Sequence, residues 1–195
     1  MIRAARIREA AQRLLEGGVA VIPTDTVYGL AAHPGRPEAV ARLYTLKERP
    51  RDKPIPLLIA DETALEALGA RLDETARRLA QRWWPGPLTL VIDTPGGTEG
   101  VRVPDCALTR ELLRQCGGAL RATSANRSGK PPALTAAAAL AALGPAAKTL
   151  LVLDDGPAPR GRPSTVVRVT EGTIEVLRPG AVPETDLRKA ACKPD

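Results

Sequence analysis

Short apolar runs, too brief for helices and closed off by glycine, proline or polar turn residues, recur along this chain. They read VAVI at 19–22, PLLIA at 56–60, LTLVI at 88–92, VRV at 101–103, ALRA at 119–122, TLLVLD at 149–154, STVVRV at 164–169 and TIEVL at 173–177. Runs of this length and composition predict strands. Between them, apolar residues recur three and four apart over 3–16, 37–46, 62–69, 73–83, 107–116 and the alanine-rich 135–143, which predicts helices. Gly17-Gly18 and Gly117-Gly118 supply stops, Pro37 suits a first helical turn, and the WWPGP stretch breaks the helix before it. PTDTVYGLAAH, polar and then small, reads as a loop, and Glu171-Gly172 as a hairpin turn. Helices and strands interleave early and strands cluster late, so the expectation is one α/β domain with a mixed sheet. It spans 1–182, and the charged stretch 183–195 reads as a frayed tail.

Such a core has to be aliphatic, because aromatic residues make up 2% of the chain and phenylalanine is absent, while hydrophobic residues reach 44%. A net charge of +6 suits an anionic partner, whether nucleic acid, nucleotide or phosphate. The scarcity of aromatics argues against a stacking platform for single strands. Cys106, Cys116 and Cys192 are odd in number, widely spaced and without a CxxC pair, as in a reducing cytoplasm. His33 is the one histidine, which excludes a His-rich metal site, and no metal-ligating set is read from the residues. Arg3, Arg6, Arg8 and Glu9 interrupt the N-terminus before an apolar signal core could form, and no apolar run is long enough to span a membrane.

Four stretches carry residues suited to chemistry. PTDTVYGL at 23–30 sets hydroxyls on both sides of a carboxylate, a pattern that also serves ordinary turn capping. KERPRDKP at 47–54 places Lys47, Arg49, Arg51 and Lys53 at every second position. An extended backbone would send all four to one side, and Pro50 and Pro54 favour extension. Cations gathered this way repel unless an anion sits among them. ATSANRSGKPP at 122–132 offers hydroxyls, an amide and Gly129 after a strand, suited to phosphate oxygens, although it is not a Walker A loop. GRPSTVV with LRPG, between 161 and 180, places Ser164 and Arg178 at the ends of neighbouring strands.

Taken together, IPTDTVYGLAA, LKERPRDKP, WWPGPLTLVI, VRVPD, ATSANRSGKP, PSTVVRV and VLRPG resemble, in order, the sequence blocks of the YrdC family, the threonylcarbamoyl-AMP synthases. The resemblance runs from about residue 10 to 182. Its signature is Lys-x-Arg followed far downstream by Ser-x-Asn, here Lys47, Arg49, Ser124 and Asn126. The resemblance implies a twisted open sheet with flanking helices around a basic cavity. It implies a cytoplasmic nucleotidyltransferase that makes threonylcarbamoyl-AMP and pyrophosphate from L-threonine, bicarbonate and ATP. Mg²⁺ accompanies the nucleotide, the product goes to downstream transferase proteins that modify tRNA, and the basic surface is available to RNA.

Carried over position by position, the resemblance assigns the signature residues Lys47, Arg49, Ser124 and Asn126 to catalysis. ATP contacts fall on those four with Lys53, Arg178, Thr98 and Pro132. Threonine contacts fall on Thr26, Arg102, Ala122 and Ser164. Lys47, Arg49 and Lys53 would face phosphates, and Arg51 solvent or RNA. Many relatives have Glu where Asp25 stands. Two other readings stay open: a family paralogue that binds RNA or nucleotide without forming the adenylate, and the carbamoyl-phosphate-using relatives within larger maturation proteins. The second fits poorly with the absence of zinc-type cysteine spacing.

Overall fold

The computed structural model describes residues 2–192. Its strands are Val19–Ile22 (β1), Gly29–Ala32 (β2), Leu57–Ile59 (β3), Leu88–Thr94 (β4), Gly97–Arg102 (β5), Ala119–Ser124 (β6), Leu151–Val152 (β7), Thr165–Thr170 (β8) and Thr173–Arg178 (β9). They form one mixed sheet in the order β7-β1-β2-β6-β3-β5-β4-β8-β9. The β1–β7, β3–β5 and β4–β8 pairs are parallel and the others antiparallel. The helices are Ile2–Leu15 (α1), Pro37–Lys47 (α2), Ala64–Ala67 (α3), Glu74–Trp83 (α4), Ala107–Gln115 (α5), Ala136–Leu143 (α6) and Glu184–Ala191 (α7), with a 3₁₀ turn at Pro145–Ala147. Among the described residues no helix is long and apolar enough to cross a membrane.

Strand β1 shows why the central runs are continuously apolar. Ala20 and Ile22 pack with Leu14 of α1 and Leu112 of α5, whereas Val19 and Val21 pack with Leu43 of α2 and Ala139 of α6. Both faces are covered, so the period-2 alternation of a half-exposed strand disappears. A third cluster joins Leu79 of α4 and Leu187 of α7 to Leu88, Leu90, Val101 and Val167. Local signals set the helix starts. Asp73 accepts from the backbone N–H of Ala76 at 2.7 Å, and Thr135 from that of Ala138 at 3.1 Å. Caps of this kind contribute about 1 kcal/mol each.

Three sequence expectations give way. The loop read over 23–33 contains β2, which is buried throughout and paired on both sides, to β1 and β6. Its residues, Gly-Leu-Ala-Ala, are too small to look like a strand, yet small residues are what a strand covered on both faces can accommodate. The tail expected to fray from 183 instead forms α7, with Leu187 fully buried against α4. Glu184 and Asp186 in its first turn and Arg188 and Lys189 in its last suit the helix dipole, and Arg78 of α4 donates to the Ala191 carbonyl at 2.6 Å. The end of the chain, 193–195, lies outside the described residues.

The third correction concerns the cationic stretch. Helix α2 runs through Lys47 and closes at Glu48 in a left-handed conformation, so the segment is not extended from 47 onward. Ala39, Leu43 and Lys47 lie four apart and form the buried stripe of α2. Pro50 restricts only the residue before it, which leaves Lys47 free to stay helical.

Candidate active site

An open cleft of about 110 Å³ lies across the middle of the sheet. Its walls come from Thr24, Thr26 and Val27 ahead of β2, from β3, from Thr89 of β4, Arg102 of β5, and Ala122–Ser124 of β6. Arg49, Ser164 and Arg178 close the remaining side. The lining holds three arginines and no carboxylate, histidine or lysine. Ligand cavities of this kind gather where strands end and loops carry polar groups.

Arg102 is the most constrained of the three. It is buried, and its Nε donates to the Gly86 carbonyl at 2.8 Å, its Nη1 to Thr26 Oγ1 at 2.9 Å and its Nη2 to Asp25 Oδ1. A guanidinium has five N–H groups, so two remain, one on each terminal nitrogen. Asp25, 3% exposed, also accepts from the backbone N–H of Asp105 at 3.0 Å and from Arg160 Nε at 3.2 Å. Burial lowers the pKa of Arg102, and the Asp25 carboxylate opposes that shift.

Hydrogen positions follow from counting. The one hydrogen of Thr24 Oγ1 goes to the Val27 carbonyl at 2.6 Å, and the same oxygen accepts from the backbone N–H groups of Thr26 and Val27 at 3.2 Å. Thr24 and Thr26 hydroxyls lie 2.9 Å apart, and with its own hydrogen committed Thr24 cannot be the donor in that pair. Thr26 Oγ1 then accepts from Arg102 and has one lone pair left. It can accept from a ligand.

The opposite wall is built where β8 and β9 meet. Arg178 Nη2 donates to the Ser164 carbonyl at 2.7 Å and to Ser164 Oγ at 3.1 Å, and Ser164 Oγ lies 2.9 Å from Thr89 Oγ1. Gly180 permits this approach: a Cβ there would overlap the Ser164–Thr165 backbone. Burial lowers the pKa of Arg178, and the charges of Arg102 and Arg49 lower it further. Arg49 folds back over its own loop, donating to the Lys53 and Pro54 carbonyls at 2.9 and 3.0 Å, and burial lowers its pKa too.

Lys47 meets the Ser-x-Asn stretch without lining the cleft. Its ammonium, 1% exposed with its side chain, donates to the Ser124 carbonyl and to the Asn126 carbonyl at 2.5 Å. Its own carbonyl accepts from the backbone N–H of Ser128 at 2.7 Å. Burial, with the Arg49 charge adding to it, pushes Lys47 down to about 8. Asn126 Nδ2 donates to the Arg127 and Lys130 carbonyls at 2.9 and 2.6 Å, and its buried Oδ1 has no protein partner.

Of the twelve candidate residues, the structure brings Thr26, Arg49, Arg102, Ala122, Ser124, Ser164 and Arg178 together in the cleft. Lys47 and Asn126 support the wall behind Ser124. Lys53, Thr98 and Pro132 are absent from the lining; Lys53 and Thr98 are exposed and Pro132 is half-buried. Arg51 is exposed and also lies away from the cleft. Sequence reasoning missed Thr24 and Thr89 as site residues, and Asp25 and Arg160 as partners of Arg102. Thr24 had a signal in the Thr-Asp-Thr turn chemistry, whereas the partnership of residues 25, 102 and 160 is purely tertiary.

Comparison with known proteins places this geometry. Residues 12–180 match the Sua5–YciO–YrdC family, described as "telomere recombination". A threonylcarbamoyl-AMP synthase of Bacillus subtilis is 36% identical over 93% of this chain and 55% of its own length. The threonylcarbamoyl-AMP synthase of Chromohalobacter salexigens is 37% identical over 89% of this chain and 96% of its own length. The crystal structure of Pyrococcus abyssi Sua5 complexed with L-threonine superposes with a TM-score of 0.87 at 36% identity, covering 94% of this chain and 56% of that one. The chain thus spans about half the length of the Bacillus and Pyrococcus proteins and nearly all of the Chromohalobacter one. With a family match across most of its residues and the same fold around its central cleft, this chain belongs to the Sua5–YciO–YrdC family.

Proposed function

We propose that this domain is a threonylcarbamoyl-AMP synthase, joining L-threonine, bicarbonate and ATP to give threonylcarbamoyl-AMP and pyrophosphate. The observation that carries the reading is the convergence of Arg49, Arg102 and Arg178 on one cleft without a carboxylate in its lining. Three like charges at close quarters call for an anion, and a substrate set bearing a triphosphate and a carboxylate supplies several.

At one end, the two remaining N–H groups of Arg102 take the threonine carboxylate, and Thr26 accepts from the amino or hydroxyl group. Ala122 and Ser164 complete that pocket. At the other end, Arg49, Arg178 and Ser124 meet the nucleotide, and Lys47 and Asn126 hold the wall behind Ser124. Lys53, Thr98 and Pro132 belong to the nucleotide's outer margin. The threonine nitrogen attacks bicarbonate carbon with loss of water, and a carbamate oxygen then attacks the α-phosphorus as pyrophosphate leaves. The lining contains no general base, so positioning and stabilisation of negative charge supply the rate. Mg²⁺ held by triphosphate oxygens suits this lining, whereas a metal bound by protein carboxylates does not. The adenylate then passes to a transferase that acts on tRNA.

Incubation with radiolabelled bicarbonate, ATP, Mg²⁺ and L-threonine tests the reading. Label should enter an adenylate, and pyrophosphate release should require threonine. Equal pyrophosphate release without threonine would overturn it, and nucleotide binding with no turnover would favour the non-catalytic paralogue.

A further inference from the structure

The buried carboxylate of Asp25 faces two arginines from different parts of the chain. Arg102 belongs to the cleft, and Arg160 belongs to the 154–163 strap that leads into Ser164. The strap is fastened on both sides of Arg160. Tyr28 Oη shares its one hydrogen between Asp154 Oδ1 and the Gly156 carbonyl, at 2.8 and 2.7 Å, and the Ala158 N–H reaches the Leu134 carbonyl at 2.8 Å. The Arg160 N–H reaches the Asp25 carbonyl at 3.1 Å, and Pro163 accepts from the Ala181 N–H at 2.9 Å. Pro163 and Ser164 line the cleft, so displacement of the strap displaces a wall of the site.

We propose that Asp25 is a positioning residue that couples the carboxylate-binding end of the cleft to this strap. It sets the angle of Arg102 and, through Arg160, tightens the strap when a substrate carboxylate engages Arg102. The proposal rests on the reading of the cleft as an amino-acid site.

Charge balance supplies the mechanism. Asp25 is the one carboxylate ion-paired with Arg102 among the described residues. A second carboxylate arriving on the two remaining N–H groups must share that guanidinium and repels Asp25. Arg160 is ready to take up the difference. Its side chain is 43% exposed, and it meets Asp25 Oδ2 through Nε alone. A small rotation would convert that single contact into a two-pronged one, the stronger geometry for an arginine–carboxylate pair. Strengthening the Asp25–Arg160 contact draws the strap, and with it Ser164, toward the occupied pocket.

Hydrogen exchange of the full chain with and without L-threonine, in the absence of ATP, reads the coupling without turnover. Threonine should slow exchange across 156–163 by about fivefold or more in the wild type. Arg160→Ala should still bind threonine by calorimetry, several-fold more weakly, with no such slowing. In steady state, Asp25→Asn should raise the KM for threonine tenfold or more while leaving that for ATP within twofold, and Asp25→Glu, which keeps the charge, should recover part of the loss. Protection of the strap in Arg160→Ala equal to that in the wild type would overturn the coupling. So would an Asp25→Asn variant whose two KM values rise together. If Asp25→Asn does not fold, Arg160→Ala with its half-exposed side chain still decides the question. A wild type that neither binds threonine nor releases pyrophosphate would remove the reading of the cleft itself, and the proposal with it. Binding and turnover without strap protection would remove the proposal alone.

Discussion

Replacing Lys47 by methionine isolates what its buried ammonium does. Methionine can follow the same path through the α2 stripe but cannot donate to the carbonyls of Ser124 and Asn126. The Ser124 carbonyl keeps the Asn126 N–H at 3.0 Å, so the loss falls on the Asn126 carbonyl; a buried acceptor left without a partner costs about 1–3 kcal/mol, and relief of the ammonium's own desolvation offsets part of it. The expected net loss at pH 7 is about 1–3 kcal/mol, a urea midpoint lower by roughly 1 M for an ordinary m-value. The pH dependence is the sharper test. Burial depresses the lysine from 10.5 to about 8 in the fold. Between those values the unfolded chain binds more protons than the folded one, so wild-type stability gains with rising pH relative to a variant lacking the amine. At about 1.4 kcal/mol per unit of depression, discounted for water reaching the amine, the gap between wild type and Lys47→Met should widen by about 2–3 kcal/mol from pH 8 to 10.5. Urea titrations of both proteins across that range check it. A constant gap would mean that burial does not penalise the charge. A narrowing gap would mean that the two carbonyls outweigh burial and hold the lysine above its ordinary value.

Arg49→Ala should weaken ATP use roughly ten- to a hundred-fold, the loss of a charge-assisted contact of about 1.5–3 kcal/mol, whereas Arg51→Ala should leave the KM for ATP within twofold. Tyr28→Phe should lower stability by about 1 kcal/mol, since its hydroxyl donates to the strap and accepts the Asp155 N–H at 3.3 Å. Burial pushes Tyr28 up to about 12, so its contribution holds below pH 10 and is lost as pH rises from 10 to 12, which denaturation of the two proteins over that range would reveal. Serine, lacking one methyl, should bind several-fold less well than threonine, a difference of about 1 kcal/mol. Valine, lacking the hydroxyl, should bind less well than serine in competition calorimetry.

The long helices and most strands were legible because one face of each helix and both faces of the central strands carry aliphatic residues in unbroken patterns. Strand β2 was not, because Gly-Leu-Ala-Ala has neither bulk nor alternation to announce it. Helix α7 was hidden for a different reason: one deeply buried residue, Leu187, anchors an otherwise charged segment. Seven of the cleft residues were legible through their motifs, Thr24 and Thr89 were not, and Ser164 and Arg178 do meet at the ends of paired strands. The alternation argument over 47–54 failed at its first residue, since position 47 completes the 39–43–47 helical stripe and its charge turns inward to the backbone of β6 and the loop after it. The sharing of Asp25 by Arg102 and Arg160 joins residues 77 and 135 positions apart and had no local trace.

The proton of Thr24 governs more than a turn. Because it is committed to the Val27 carbonyl, Thr24 cannot donate to Thr26, and Thr26, accepting from Arg102, keeps one lone pair free for another donor. On the reading of the cleft as an amino-acid site, that lone pair favours a ligand that brings hydrogens to it. The 2-oxo acid of the same carbon skeleton exchanges the amine hydrogens for a carbonyl, and so has one donor group fewer to offer this oxygen. On that reading, a preference for an amine over a ketone rests partly on Thr24, whose own hydrogen is held by the turn it closes.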